Sequence, residues 1–239
     1  TGLVGSSLLK KLIKLNYDVT GISSIDINLS DRNKTLRWFK EKEKFNIVID
    51  AAARVGGIKY NKSKPVEFLL QNLRIQCNLM EACFESKVDK FIFLGSSCIY
   101  PKFSPQPIKE EYLLTGELEQ TNSAYAIAKI AGIELVKAYR TEFGLKWISL
   151  MPTNIYGPGD NFSLETGHVL PALIRKFVEA RNNNLKELIL WGTGNPMREF
   201  LYSDDLASAI IFTFNKYEDS AHLNIGTGQE VSILDLANI

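Results

Sequence analysis

Tyr125 and Lys129 form the first candidate pair for chemistry, because of their residue types and their spacing. Side chains that lie four residues apart in a helix share one face. A lysine ammonium beside a phenol favours the phenolate, so we expect Lys129 to lower the pKa of Tyr125. Such a pair could donate and accept a proton near neutral pH. The spacing is common, and an exposed helix face is its ordinary interpretation.

The stretch GSSCIYPK at residues 95–102 is the second candidate, because it follows the apolar run FIFL. Ser96 and Ser97 then lie at the carboxyl end of a predicted strand, where doubly wound sheets bind their ligands. Cys98 has two interpretations. It is either a small buried apolar residue, the common fate of a free cysteine, or a proton carrier. The residues by themselves leave both open.

The Gly-rich start TGLVGSS predicts a helix whose N-terminus faces a phosphate. Gly2 and Gly5 open this helix, and its backbone N–H groups can point at a pyrophosphate. The match to a dinucleotide-binding loop is partial, and an ordinary Gly-rich helix start is the alternative. The candidate contacts are Thr1, Gly2, Leu3, Val4 and Gly5.

The elements that must position these residues alternate between helix and strand, which predicts right-handed βαβ units. Amphipathic helices are predicted at 5–16, 31–42, 65–86, 124–143 and 171–181. Strands are predicted at YDVTGIS, FNIVIDAAA, KFIFLGSS, LKWISLMPTN and ELILWG, and FLYSDDLASAIIFTF predicts a strand end followed by a helix. The predicted fold class is α/β, a doubly wound parallel sheet of the Rossmann type with a smaller interleaved α/β lobe.

The domain organisation follows from where this alternation loosens, after residue 154. We expect a dinucleotide-binding domain over 1–153, to which 199–215 returns, and a substrate lobe over 154–198 and 216–239. The sequence begins inside the glycine motif and ends in the pattern of a new helix. It is therefore interpreted as a fragment that lacks the first strand and the C-terminal segment.

Composition excludes several classes of protein. With a net charge of +1 over 239 residues, nothing favours nucleic acid or an anionic membrane as a partner. No apolar run approaches ~18 residues, so no transmembrane span is expected. Cys77, Cys83 and Cys98 form no CxxC pair, which suits a reducing, cytoplasmic location, and no metal site is predicted. Cys77 and Cys83 are expected to be buried on the core-facing side of a helix, and His222 is expected to be structural.

A strand-end serine, a later YxxxK and a Gly-rich start, in that order, resemble the extended short-chain dehydrogenase/reductase superfamily. The strings AAARVGGIKYN, GSSCIYPK, MPTNIYGPGDNF and PMREF are similar to the GDP-L-fucose synthase family, and the similarity spans essentially the whole chain. The resemblance implies a GDP-sugar substrate and NADP as cofactor. It also implies C3 and C5 epimerisation of GDP-4-keto-6-deoxy-D-mannose, then reduction of C4. It further implies a homodimer formed through helices 65–86 and 123–142.

The resemblance also implies a role for each candidate residue. Ser96, Tyr125 and Lys129 form its catalytic triad, with Cys98 as epimerisation base and His168 as acid. Both groups would titrate near working pH, since a free thiol has a pKa of ~8.5 and an imidazole ~6.5. The implied substrate contacts are Lys176, Trp191 and Arg198. The implied cofactor contacts are Thr1, Gly2, Leu3, Val4, Gly5, Leu94, Gly95, Ser96, Ser97, Lys129, Pro152, Thr153, Asn154, Ile155 and His168.

Two matters stay open in the sequence. The choice of NADP over NAD rests on the resemblance, because no arginine follows the second strand until Arg32, and Asp26 lies about where an NAD-binding acid would. The alternative functions are a GDP-colitose-type epimerase-reductase, a UDP-sugar 4-epimerase with bound NAD, and a non-catalytic dinucleotide sensor. Cys98 and His168 disfavour the 4-epimerase, and the presence of Tyr125 and Lys129 disfavours the sensor.

Overall fold

The computed structural model describes residues 2–239; Thr1, a predicted cofactor contact, lies outside the described residues. The helices are α1 Leu3–Lys14, α2 Arg32–Glu41, α3 Ile58–Ser63, α4 Pro65–Glu85, α5 Ser123–Phe143, α6 Val169–Asn182, α7 Ser203–Lys216 and α8 Ile233–Asn238. The strands are β1 Ile47–Asp50, β2 Lys90–Leu94, β3 Ile148–Pro152, β4 Asn154–Tyr156, β5 Met197–Tyr202, β6 Leu223–Ile225 and β7 Glu230–Ser232.

The main sheet has the order β1-β2-β3-β6, and all its strands are parallel. Its central strands are short apolar runs, and every residue of β3 is buried. Such runs are typical of strands that are covered on both faces. The carboxyl ends of parallel strands meet at one edge, so the segments after β1, β2 and β3 come together there. The predicted α/β fold with a parallel sheet is confirmed.

Helices cover both faces of this sheet. On one face, α2, α4 and α5 pack over a cluster that includes Phe91, Phe93 and Trp147. On the other face, α1 and α7 pack over Ile92 and Leu94. Because successive strand residues point to opposite faces, Phe93 and Leu94 enter different layers. This alternation fixes which helix each strand residue can reach.

A second, smaller sheet has the order β4-β5-β7, with β4 and β5 parallel and β5 and β7 antiparallel. β4 follows β3 after a single residue, so this sheet starts directly at the carboxyl edge of the main one. The predicted division into two lobes stays a prediction. We note that β6, from the segment 216–239, pairs with β3 in the main sheet.

Three local predictions from the sequence are wrong. YDVTGIS and ELILWG form no strand among the described residues, and Ile189 in the second is 89% exposed, so no burial holds that segment extended. Cys77 is exposed, whereas Cys83 is buried, because a separation of six residues turns a helix by about 120° away from a shared face.

Within residues 2–239, no helix combines the length and apolarity needed to cross a membrane.

Candidate active site

The carboxyl end of β2 presents two of the candidate catalytic residues. Gly95 N donates to Leu150 O at 2.8 Å, and a Cβ at Gly95 would lie 2.3 Å from Met151 Sδ. Glycine therefore permits the close approach of β2 and β3 at this point. Ser96 then caps a short turn, its Oγ accepting from Cys98 N at 3.4 Å. The turn places Ser96 and Cys98 together at the edge of the sheet.

Lys129 lies beside this strand end and is only 3% exposed. Its Nζ donates to Leu94 O at 2.8 Å, and lies 4.7 Å from the centre of the Phe93 ring and 5.9 Å from that of Tyr125. Burial lowers the pKa of Lys129, and the negative charge of Asp50 raises it. Lys129 is thus a buried ammonium whose charge depends on its neighbours.

Tyr125 is half-buried and packs edge-on against Phe68, with ring centres 6.2 Å apart. Burial raises its pKa, the nearby Cys98 raises it further, and a hydrogen bond with Ser96 lowers it. The expected lowering of the pKa of Tyr125 is therefore wrong for this arrangement, because desolvation of the phenol is the largest cause of its shift. A phenol that stays protonated at neutral pH suits a proton donor.

Cys98 is a thiol rather than a thiolate at neutral pH. Burial raises its pKa to about 11, against the hydrogen bond with Ser96 and the charge of Lys129, which both lower it. The expectation that Cys98 titrates near working pH is therefore wrong for this arrangement. To act as a base the thiol must first lose its proton, and Ser96 and Lys129 are the groups that favour this loss.

His168 lies on a different element, as the residue that precedes α6. Its loop is held against the start of α3, where Gly57 N donates to Thr166 O at 3.0 Å. A Cβ at Gly57 would lie 2.4 Å from Gly167 O, so the two backbones touch. Desolvation lowers the pKa of His168, although the residue is exposed overall. The charge of Asp160 raises this pKa. The described contacts do not join His168 to the other four candidate catalytic residues.

The start of α1 has the features of an anion site. Gly2 precedes the helix, and Leu3, Val4 and Gly5 form its first turn. Gly2 has no side chain that could cap this end, and the first turn carries no acidic residue, so neither offsets the positive end of the helix dipole. A Cβ at Gly2 would meet no atom within 4 Å. A pyrophosphate fits such an open terminus.

The end of β3 adds a buried polar group without a partner. Thr153 Oγ1 is buried and makes no hydrogen bond within the part of the chain that the structure describes. Pro152 ends β3 before it, and Asn154 and Ile155 begin β4 after it. Asn154 Nδ2 donates to Glu199 O at 2.9 Å, which ties this segment to β5. An orphaned hydroxyl at the ligand-binding edge fits a polar group of a bound nicotinamide nucleotide.

The predicted substrate residues lie in three places: on β5, on α6 and in the loop between them. Arg198, on β5, is exposed, and its Nη1 donates to Met197 O at 2.7 Å. Lys176 is half-buried on α6. Trp191 is 72% exposed, with Lys59 Nζ 5.7 Å from its ring centre. An exposed indole is free to contact a ligand, but the described contacts do not bring these three residues together.

The basis for choosing NADP over NAD is not visible in the segment after α1. Asp26 Oδ2 accepts from Ser23 N and Ser23 Oγ, each at 2.8 Å, so this acid closes a local turn. Arg32 Nε donates to Glu81 Oε2 at 2.7 Å, so its guanidinium is already paired. Neither residue distinguishes the two cofactors.

Asp50 was missed in the sequence, although an acid that ends the apolar run NIVID was a visible signal. It is 2% exposed, at the carboxyl end of β1. Burial raises its pKa to about 6, and the charge of Lys129 lowers it. In the part of the chain that the structure describes, no group of three or more His, Cys, Asp or Glu side chains could hold a metal ion.

Comparison with known proteins gives a consistent result. Residues 1–226 match the family described as the NAD dependent epimerase/dehydratase family. A GDP-L-fucose synthase of Sinorhizobium fredii is 50% identical over 238 residues, which cover 100% of this chain and 76% of that one. GDP-L-fucose synthase 1 of Arabidopsis thaliana is 50% identical over 239 residues, 100% of this chain and 74% of that one.

Other relatives extend the comparison. A GDP-L-colitose synthase of Yersinia pseudotuberculosis is 36% identical over 236 residues, 98% of this chain and 76% of that one. The crystal structure of a GDP-L-fucose synthetase from Naegleria fowleri bound to NADP superposes with a TM-score of 0.90 at 32% identity. That superposition covers 99% of this chain and 73% of the other.

Proposed function

The chain belongs to the NAD dependent epimerase/dehydratase family, and we propose that it converts GDP-4-keto-6-deoxy-D-mannose to GDP-L-fucose. It is an enzyme that epimerises C3 and C5 of the sugar and then reduces the C4 ketone. The observation that carries this function is the 50% identity to GDP-L-fucose synthases over the whole chain. The GDP-L-colitose synthase, at 36%, is the alternative.

Epimerisation needs a proton to leave one face of the sugar and another to arrive on the opposite face. The protons at C3 and C5 are α to the ketone, so removal of either leaves an enolate on the C4 oxygen. We assign proton removal to the thiolate of Cys98, which forms when the thiol gives its proton to water, and proton return to the protonated imidazole of His168. The hydroxyls of Ser96 and Tyr125 stabilise the enolate oxygen as hydrogen-bond donors. Each epimerisation leaves the two groups with exchanged protonation, so water must restore them.

Reduction uses the same donors. The cofactor is NADP, which in its reduced form would supply the hydride for C4. Tyr125, a phenol at neutral pH, gives its proton to the alkoxide that forms, and Lys129 holds a positive charge within 5.9 Å of the Tyr125 ring centre. Lys129 also suits a ribose hydroxyl, because its ammonium uses one hydrogen bond on Leu94 O. Gly2 and the first turn of α1 would hold the pyrophosphate of the cofactor.

Recognition of the GDP-sugar is assigned to Arg198, Lys176 and Trp191. Arg198 has no described carboxylate partner, and a guanidinium can bind a diphosphate through two N–H groups. Lys176 would add a point charge, and Trp191 an apolar surface for the ligand. Convergence of these three residues on one substrate is part of the proposal.

The decisive experiment follows both reactions together. The enzyme is incubated in heavy water with GDP-4-keto-6-deoxy-D-mannose and NADPH, and the product is read by NMR. We expect deuterium at C3 and C5 of GDP-L-fucose, because solvent restores the protons of both groups. Formation of a different sugar, or no reaction, would overturn the proposal in favour of the colitose-type substrate, which is tested in parallel.

Two variants test the roles assigned to Cys98 and Tyr125. Cys98→Ser is expected to suppress deuterium entry at C3 and C5, and Tyr125→Phe to slow NADPH oxidation by ~10²–10⁴-fold. Cys77→Ser is the matched control, since Cys77 is a free, exposed thiol outside the site. Full deuterium entry in Cys98→Ser would remove Cys98 from the mechanism.

We also propose a homodimer and a cytoplasmic location. The support for a dimer is that α4 and α5 pack side by side and expose Val66, Leu70 and Ile127 at 73%, 41% and 46%. Sedimentation equilibrium should give twice the chain mass, and Leu70→Lys should shift it toward the monomer. The support for the cytoplasm is the three free cysteines, and fractionation of cells tests it.

A further inference from the structure

Asp50 and Lys129 are two buried, ionisable residues on the same side of the main sheet. Asp50 is in register with Phe93 on the neighbouring strand, so their side chains point to the same face. That face is the one covered by α4 and α5. Lys129 Nζ lies over the Phe93 ring at 4.7 Å. Both residues therefore lie in the layer between the sheet and α5, each beside Phe93.

Each of the two groups is incompletely satisfied. Asp50 Oδ1 accepts from Ala52 N at 3.0 Å, but Oδ2 is buried and has no hydrogen-bond partner among residues 2–239. Lys129 has three N–H donors and uses one on Leu94 O. A buried polar atom without a partner is uncommon and calls for an explanation. Attraction between opposite charges across a poorly solvated space supplies one.

We propose that Asp50 is the counter-charge that keeps Lys129 protonated and in position beside Tyr125. Asp50 is a positioning residue, because it acts on the reaction through Lys129. Only the expected effect of Asp50 on turnover rests on the function proposed above. The charge relation between Asp50 and Lys129 can be measured without any sugar substrate.

Asp50 shifts the pKa of each described neighbour in the direction expected of a negative charge. Lys129 feels Asp50 from β1 and Cys98 from the turn after β2, and both raise its pKa against burial. Tyr125, on the same helix as Lys129, has its pKa raised by burial first and also by Asp50. Cys83, on α4, has its pKa raised by burial and by Asp50. Loss of the Asp50 charge should lower the pKa of all three neighbours.

The test is Asp50→Asn in the intact enzyme, read first by NMR. Lysine-selective spectra of the ε-CH₂ group follow the amine through its titration, and Lys129→Arg assigns the signal by its loss. We expect the pKa of Lys129 to fall by about one pH unit or more in Asp50→Asn. An unchanged pKa would overturn the proposal.

The second readout is the pH dependence of NADPH oxidation with the keto-sugar. Loss of the carboxylate lowers the pKa of both Lys129 and Tyr125, so the alkaline limb should move to lower pH. Wild type and Asp50→Asn should converge below about pH 6, where Asp50 itself becomes protonated. A variant that is slower by the same factor at every pH would indicate a purely structural role and would overturn the proposal.

Cys83→Ala is the matched control, because Cys83 is fully buried and its pKa responds to Asp50, but it carries no charge. It should lower the melting temperature and leave the pKa of Lys129 unchanged. Should Asp50→Asn not fold, the wild-type spectrum decides, since the Lys129 signal must shift as Asp50 titrates; no shift between pH 5 and pH 7 overturns the proposal. An inactive enzyme with a normal Lys129 response would refute the proposed function alone.

Discussion

Gly132 is the position at which a single methyl group tests the packing beneath the site. It lies inside α5 and faces the β2 residue Phe93. A Cβ at Gly132 would lie 2.3 Å from Phe93 Cζ, 2.6 Å from Phe93 Cε1 and 3.0 Å from Gln76 Nε2. Phe93 is fully buried and lies under Lys129, so the ring has little space to move away.

Two effects of Gly132→Ala oppose each other. Alanine is favoured over glycine inside a helix by about 1 kcal/mol. Overpacking of a buried core costs about 1–3 kcal/mol, and contacts this short on a buried ring place Gly132→Ala in the upper part of that range. We therefore expect the free energy of unfolding to fall by about 1–2 kcal/mol.

Urea unfolding of four proteins measures the effect: wild type, Gly132→Ala, Phe93→Leu and the double variant. Leucine lacks the distal ring atoms that the new methyl would meet. In the Phe93→Leu background, Gly132→Ala should then be stabilising by about 1 kcal/mol, which gives a coupling energy of about 2–3 kcal/mol. The turnover number of Gly132→Ala should fall at least about tenfold, since Lys129 rests on the displaced ring.

Stabilisation by Gly132→Ala in the wild-type background would refute this reasoning. It would mean that α5 and β2 separate at no cost, and that Phe93 does not fix the position of Lys129. A loss of stability that persists in the Phe93→Leu background would instead place the clash elsewhere, with Gln76 as the remaining neighbour.

Two further predictions concern Cys98 and Tyr100. With a thiol pKa of about 11, alkylation of Cys98 by iodoacetamide should accelerate about tenfold per pH unit from pH 7 to pH 10. Peptide mass spectrometry reads this rate, and a plateau near pH 8.5 would contradict the burial of the thiol. Tyr100→Phe removes a buried hydroxyl that lies 3.0 Å from His222 Nε2 and donates to Asn224 Oδ1. It should lower the free energy of unfolding in urea by about 1–3 kcal/mol, and an unchanged midpoint would show that water replaces the hydroxyl.

Much of the architecture could be predicted from the sequence because helices and buried strands have local signals. The apolar period of 65–86 and the run FIFL identify α4 and β2 without reference to any other segment. YDVTGIS and ELILWG carried a similar apolar signal, and they fail because a strand also needs a neighbour and burial. The exposure of Ile189 shows that ELILWG receives no such cover.

Residue types, their order and the strand-end positions were determined by the sequence alone. Ser96 and Cys98 follow a buried strand, and Tyr125 and Lys129 share a helix face, whatever surrounds them. Only the tertiary structure decided their charge states, because desolvation depends on which distant segments cover a group. Burial reverses the expected change in the pKa of Tyr125 and holds Cys98 as a thiol. Asp50 and Lys129 are 79 positions apart in the sequence (129 − 50). Strand register places Asp50 beside Phe93, and the packing of α5 places Lys129 over the same ring.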